Sequence, residues 1–323
     1  MAERNNHNEP IFGARSVRKQ SRINEYSVQL RILNTQMMSD KKHNFFCDGG
    51  LGNRFASLFL AAVLIEKFRV DIEISWPVNN WCGAEFTSLF ESEIAHNNRS
   101  LNDYACHSEK YHFVMHENQL GWEDRVIYNQ RSVETLDTFH ALLHADKPIF
   151  YYANQLPHFL TFENLISIRN LIRIRADLLD IINSFVEQNK ISTEVIGLHI
   201  RKTDFFQPAN DWVLHNLVKT TPHQRYLVCT DDADVQNAFS VFPNCVFLEK
   251  ISYPAKMLGD LEWNSKTTDS IGREFNFNIT RSQEAVIAGL LDLCVLSRTT
   301  ILNNSSSSFL FMARLFQKTG LFQ

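Results

Sequence analysis

The stretch HNFFCDGGLGNRFASLFLAAVLIEKFRVDIEISW, residues 43–76, decides the fold. It opens with a short apolar strand, His43–Cys47, and runs into the turn Asp48-Gly49-Gly50-Leu51-Gly52-Asn53. From about Arg54 to Lys67, Phe55, Leu58, Phe59, Ala62 and Ile65 recur at three- and four-residue steps, which predicts a helix with one buried stripe. Val70–Trp76 then alternates, Asp71, Glu73 and Ser75 against Ile72, Ile74 and Trp76, and Pro77 ends the strand. Strand, glycine turn, helix and strand make a βαβ unit, the building block of a parallel sheet.

The same alternation returns downstream. A short strand is expected at Ile149–Ala153, and Leu160–Asn189 reads as helical, with Leu165, Ile168, Leu171, Ile172, Leu178, Leu179 and Ile182 on a broad apolar face. A second unit starts with the strand Glu194–Ile200 and passes through a loop to the strand Arg225–Thr230 and a helix over Asp231–Phe239. It continues with a strand at Val246–Leu248, a helix over Ser282–Ser297, a strand at Thr299–Leu302 and a helix over Ser308–Phe316. This pattern predicts an α/β protein with two doubly wound parallel sheets facing a cleft. Residues 1–42, rich in Asn, Arg, Ser and Gln, read as a flexible N-terminal extension. The predicted domains are then 43–190 and 191–323, with the switch near 185–195.

Composition narrows the classes. The 323 residues, 44% apolar and 21% charged, suffice for a large core and exclude a wholly disordered chain. A net charge of −4 argues against nucleic acid held by bulk charge. The six cysteines form no CxxC pair and are too sparse for a disulfide scaffold, which points away from a zinc ribbon and toward a reducing compartment. The longest apolar run, Phe55 to Phe68, carries Ser57, Glu66 and Lys67 and is too short and polar to span a bilayer. With no apolar h-region near the N-terminus, a cytoplasmic protein without an integral membrane span is expected.

Four motifs carry candidate chemistry. The glycine turn lets backbone N–H groups approach an anion at a helix N-terminus; it is either a phosphate or substrate loop or a tight structural turn. His199-Ile200-Arg201-Lys202-Thr203-Asp204 ends a strand, where ligands of parallel sheets sit, and arginine suits a two-pronged grip on phosphate; an ordinary Arg–Asp ion pair reads equally well. Thr230-Asp231-Asp232 can hold a ribose hydroxyl, bind a metal or cap the next helix. Asn303-Asn304-Ser305-Ser306-Ser307-Ser308 is an anion nest or an N-cap in a polar loop, and Asp292 sits on an apolar helix where it accepts from a base edge or pairs with a cation.

Taken in order, these motifs resemble the GDP-fucose-dependent fucosyltransferase superfamily. The match is nearest to the branch of nodulation-factor and core α1,6-fucosyltransferases. The residues that carry it are Gly49 to Arg54, Trp76-Pro77 with Cys82 and Phe86 through Phe90, Ile196 to Asp204, Tyr226 to Asp232 and Leu290 to Phe309. The α1,2-fucosyltransferases share a similar glycine start and HxRRxD core. The resemblance implies a GT-B-like fold, two Rossmann-type domains, and inverting transfer of fucose from GDP-fucose to a glycan hydroxyl. No cofactor and no divalent metal are expected, since Arg201, Lys202, the glycine-turn amides and the serine nest can meet the leaving charge without one and no DxD-type manganese motif stands in a convincing place. Arg201, Lys202 and Asp204 would be catalytic, Arg201 gripping the β-phosphate. Gly50, Gly52 and Asn53 would close on the donor, His199 and Asp292 meet the guanine, Asp231 and Asp232 lie near the nucleoside, and Ser307 and Ser308 hold the phosphates.

Two departures bear on activity. The family's glutamate and lysine after the motif aspartate are replaced by Phe205 and Ala209, which leaves Asp204, Asp211 and Asp48 as candidate bases, or late proton loss with no strong base. Lys202 stands where the family more often has arginine, keeping the charge without the bidentate geometry. The alternatives are another nucleotide sugar on the same fold, or a glycan- or nucleotide-binding module with a degenerate site. Trp81, Trp122, Tyr128, Tyr151 and Tyr152 are either sugar-stacking aromatics or core, core being favoured for most.

Overall fold

A computed structural model describes residues 41–119, 123–128, 131–153, 155–202, 208–256, 267–268, 274–275, 279–302 and 307–323. Residues 42–323 cluster as one compact unit. The expected extension falls almost wholly outside the described residues.

The decisive stretch folds as read, with shifted bounds. Strand β1 is His43–Phe46, helix α1 is Leu51–Phe68 and strand β2 is Ile72–Ser75, parallel to β1. The helix starts three residues earlier than its apolar period, because Gly50 acts as N-cap and its carbonyl accepts from the amides of Asn53 (2.9 Å) and Arg54 (3.1 Å). It is also buried on most faces rather than along one stripe: Leu58, Leu60, Ala61, Val63 and Leu64 are buried beside Phe55 and Phe59. A helix covered on more than one side has no polar face to keep.

β1 lies inside a sheet with β3 (Ala95–Asn97), β4 (His112–Gln119), β5 (Glu123–Tyr128), β6 (Arg131–Val133) and β7 (Ile149–Tyr152), in the order β3-β2-β1-β7-β4-β5-β6. Strands β3 to β4 along that order are parallel, and β4-β5-β6 form an antiparallel meander. The second sheet holds β8 (Ile196–Ile200), β9 (Tyr226–Thr230), β10 (Cys245–Val246) and β11 (Thr300–Ile301), all parallel, in the order β10-β9-β8-β11. Around these sheets lie α2 (Ala176–Gln188), α3 (Pro208–Thr220), α4 (Ala233–Ser240), α5 (Gln283–Leu296) and α6 (Ser308–Thr319).

Alternation along β9 shows the second sheet covered on both faces. Tyr226 and Val228 pack with Leu214 and Val218 of α3 and Val235 and Phe239 of α4, whereas Leu227 and Cys229 belong to the cluster holding Leu290 and Cys294 of α5. That is doubly wound packing. The larger cluster runs on into the first sheet, where Phe55 and Phe59 of α1 meet Phe316 of α6 at ring-centroid distances of 5.3 and 6.2 Å.

Two expectations are corrected. Leu160–Asn189 is not one helix: Phe162–Ser167 is helical, Ile172–Ile174 is a strand antiparallel to Phe90–Ser92, and α2 follows. The local Ile-Arg-Ile has a period of two, with Ile172 and Ile174 buried and Arg173 exposed, and it wins over the longer helical pattern. The segment after β8 is not simply a loop, since α3 begins at Pro208, a residue suited to a first helical turn.

Candidate active site

The carboxyl ends of both sheets open onto one cavity of about 750 Å³. From the first sheet come residues 48–53 after β1, Trp81 after β2, and Tyr152, Gln155 and His158 at and after β7. From the second come His199 and Arg201 at the end of β8, Thr230 and Asp231 at the end of β9, Lys250 beyond β10, and Ser307 to Phe309 at the start of α6. Open parallel sheets place ligands at this end of their strands.

The glycine turn is built by backbone needs. Gly49 takes φ +77°, the left-handed region, where a side chain is strained. Gly52 faces the other half of the cavity: a Cβ there lies 3.1 Å from Ser308 Oγ and 3.3 Å from the Ser308 carbonyl carbon. The glycine turn and the serine turn, some 255 residues apart in sequence, are thus neighbours in space. Arg54 braces the turn from inside the core and does not line the cavity. Its Nε donates to Gly49 O at 2.9 Å and its Nη2 to Asn79 Oδ1 at 3.2 Å, while Asn79 Nδ2 donates to Asp48 Oδ1 at 2.9 Å.

Of the site residues expected from sequence, Gly50, Gly52, Asn53, His199, Arg201, Asp231, Asp292, Ser307 and Ser308 share this cavity wall. Lys202 and Asp232 are not among its lining: Lys202 N donates to Asp231 Oδ1 at 2.8 Å, and Asp232 caps α4 by accepting from Val235 N at 2.9 Å. Asp204, Phe205 and residues 303–306 lie outside the described residues. Ser307 is both a cavity residue and the N-cap of α6, its Oγ accepting from Leu310 N at 3.2 Å. His199 stacks on Phe309 at 4.4 Å and 11°, giving the wall a flat aromatic face. Of the aromatics, Trp81 and Tyr152 line the cavity and Tyr151 is core; Trp122 is outside the described residues.

Sequence reasoning missed Lys250, Tyr253 and Arg281, all in the cavity wall. Lys250 Nζ lies 2.5 Å from Asp292 Oδ2, each side chain 5% exposed, and also donates to Thr230 O. Asp292 therefore pairs with a cation, as one of its two readings held, and that cation is a lysine 42 residues upstream. Burial pushes the Asp292 carboxyl above its ordinary range, with Lys250 opposing. Burial alone would lower the Lys250 ammonium, but the Asp292 carboxylate outweighs it and holds the ammonium above its usual value. The missed signal was positional: Lys250 follows a strand of the parallel sheet, as Arg201 and Asp231 do.

Two sheets, one mixed and one parallel, whose parallel strands end at one cavity fit the GT-B type of fold. Solved structures with this fold include NodZ α-1,6-fucosyltransferase soaked with GDP-fucose, 16% identical, covering 85% of this chain and 92% of NodZ at a TM-score of 0.50. Fucosyltransferase NodZ from Bradyrhizobium, 14% identical, matches over 85% and 92% of the two chains at 0.50, and NodZ co-crystallised with GDP over 85% and 91% at 0.50. No family model and no curated protein matches the chain. The resemblance read from motifs is thus met by a likeness of fold. No helix among the described residues is long and apolar enough to cross a membrane.

Proposed function

We propose that this chain is an inverting glycosyltransferase that moves fucose from GDP-fucose to a glycan hydroxyl without a divalent metal. The observation that carries the reading is the meeting of Arg201, the glycine turn and Ser307-Ser308 in one cavity. These supply a guanidinium, the amides of two helix N-termini and hydroxyls, the groups that a departing diphosphate needs. NodZ, which takes up GDP-fucose and GDP in crystals, supports the choice of donor.

In the proposed step the acceptor oxygen bonds to C1 of fucose as the bond from C1 to the β-phosphate oxygen breaks. GDP leaves with the electron pair, and the acceptor proton passes to a carboxylate. Charge growing on the phosphate oxygen is met by Arg201, and fixed donors of this kind typically contribute about 10²–10³ in rate. We assign the proton to Asp48. It lines the cavity, and Asn79 fixes its carboxylate, whereas Phe205 and Ala209 cannot serve.

GDP-fucose turnover tests this, measured with and without EDTA in the parent and in Arg201→Ala. Turnover that persists in EDTA and falls about 10²–10³-fold in the variant is expected. Turnover abolished by EDTA, or unchanged by the substitution, refutes the metal-free, Arg201-centred mechanism. The non-enzymatic reading, a nucleotide- or glycan-binding module, draws on Phe205 and Ala209; GDP binding with no turnover on any acceptor would favour it.

A further inference from the structure

The first sheet has an apolar face that is only half covered. Phe46 of β1, Phe150 and Tyr152 of β7, and Phe113 and Met115 of β4 share that face, because Phe46 pairs with Tyr152, Tyr152 with Met115 and Phe150 with Phe113 in register. The short helix Leu101–Ala105 packs on its β1 and β7 side, with the Tyr104 ring centroid 4.8 Å from that of Phe150 and 6.5 Å from that of Phe46. The cover stops there. Phe113, its ring centroid 5.1 Å from that of Phe150, is 38% exposed, and Met115 is 40% exposed. An apolar sheet face ordinarily packs against another layer. This strip is continuous with the cavity: Tyr152, beside Met115, is in the cavity wall, and so is Asp48, two residues beyond Phe46.

The size and shape of the strip narrow its occupant. The exposed parts of the two side chains offer on the order of 100–200 Å², against roughly 800 Å² per partner in a standard protein interface. β4 lies between β7 and β5, so it has no open backbone edge for an added peptide strand. A pyranose ring fits: its C–H faces are apolar, its rim carries hydroxyls, and Gln155 and His158 in the adjoining wall offer polar groups to that rim. We propose that Met115 and Phe113 form an outer acceptor subsite. An oligosaccharide places its reacting ring between Asp48 and the donor, passes Tyr152, and lays the following rings on β4, where neighbouring strands are about 4.8 Å apart. The inference rests on the glycosyl-transfer reading above and deepens it by naming an oligosaccharide acceptor and the surface that selects for its length.

The test uses ladders of β-1,4-linked N-acetylglucosamine and glucose oligomers, from one ring to four, on the full chain labelled with ¹³C at its methionine methyl groups. In the better-bound ladder, calorimetric affinity should rise about 10-fold between one ring and three, as expected for burying an apolar strip of this size. The Met115 methyl resonance, assigned with Met115→Leu, should shift on adding the three-ring oligomer and not the single sugar. Phe113→Ser together with Met115→Ser should bring the three-ring affinity down to the single-sugar value, with GDP affinity as the check on the fold; the methyl shift in the parent decides the matter if that variant folds poorly. Equal affinity at every length, a Met115 methyl unmoved by saturating three-ring oligomer, or binding of neither ladder overturns the inference. So does a Met115 shift that tracks protein concentration with no sugar present, which marks a second copy of the chain as the occupant. Fucosyl transfer from GDP-fucose with no dependence on acceptor length leaves the transferase reading standing while this one falls. Length-dependent binding at Met115 with no GDP-fucose turnover does the reverse.

Discussion

Replacing Arg54 by methionine probes whether the glycine turn is held by charge or only by packing. Arg54 is 0% exposed. Besides its bonds to Gly49 O and Asn79 Oδ1, its guanidinium lies 4.8 Å from the Trp76 ring centroid and its Nη2 4.0 Å from Asp48 Oδ1. At that separation an ion pair has a gross attraction of about 4 kcal/mol for an effective dielectric near 20. Each hydrogen bond to a charged group adds roughly 1.5–3 kcal/mol. Against this stands the cost of stripping a guanidinium of water, raised here because Nη1 is buried without a partner among the described residues. Methionine avoids that cost but leaves Asp48, 2% exposed, without its buried cation. Removing one partner of a buried pair typically costs about 3–5 kcal/mol net. For a unit of this size that lowers Tm by roughly 6–20 °C. The assay is urea and thermal unfolding of R54M, D48N and the double variant. The double should be more stable than the sum of the singles by at least about 1 kcal/mol, because removing both charges leaves neither stranded. An R54M variant within about 0.5 kcal/mol of the parent, or singles that simply add, would show that Arg54 only fills space.

Other outcomes follow from the same coordinates. Gly52→Ala gains up to about 1 kcal/mol of helix propensity but sets a methyl 3.3 Å from Ser308 backbone; stability should change by less than about 1 kcal/mol while nucleotide affinity, read by calorimetry, falls. Unchanged affinity would mean that the spacing of the two turns is not critical. Burial pushes the Cys47 thiol up to about 12 and the Cys245 thiol up to about 11, and it also raises those of Cys229 and Cys294. The folded state then binds these protons more tightly than the unfolded one, so their contribution is present below the ordinary thiol value near 9 and is lost as pH rises toward 12. Urea unfolding between pH 9 and 11 should show falling stability, with a shallower slope in Cys47→Ala. Cys106 is the exposed cysteine, so brief native alkylation read by mass spectrometry should modify it first, with Cys47, Cys82, Cys229 and Cys294 reacting only on unfolding.

Periodicity and glycine placement are local properties of the chain, and from them the βαβ opening, the parallel character of the second sheet and the places where ligands gather could be read directly. His199, Arg201, Asp231 and Ser307 were legible as strand-end and helix-start residues for that reason. Local pattern misread Ile172–Ile174, where a three-residue alternation hides inside a longer apolar face, and it passed over the helix that begins at Pro208. Tertiary structure alone decided that Gly52 abuts Ser308, that Arg54 turns inward to Asp48 and Asn79, and that Lys250 reaches Asp292. Those contacts join residues distant in sequence. Whether a buried lysine and a buried aspartate meet is settled by how helices and strands pack around them, and no spacing along the chain encodes that distance.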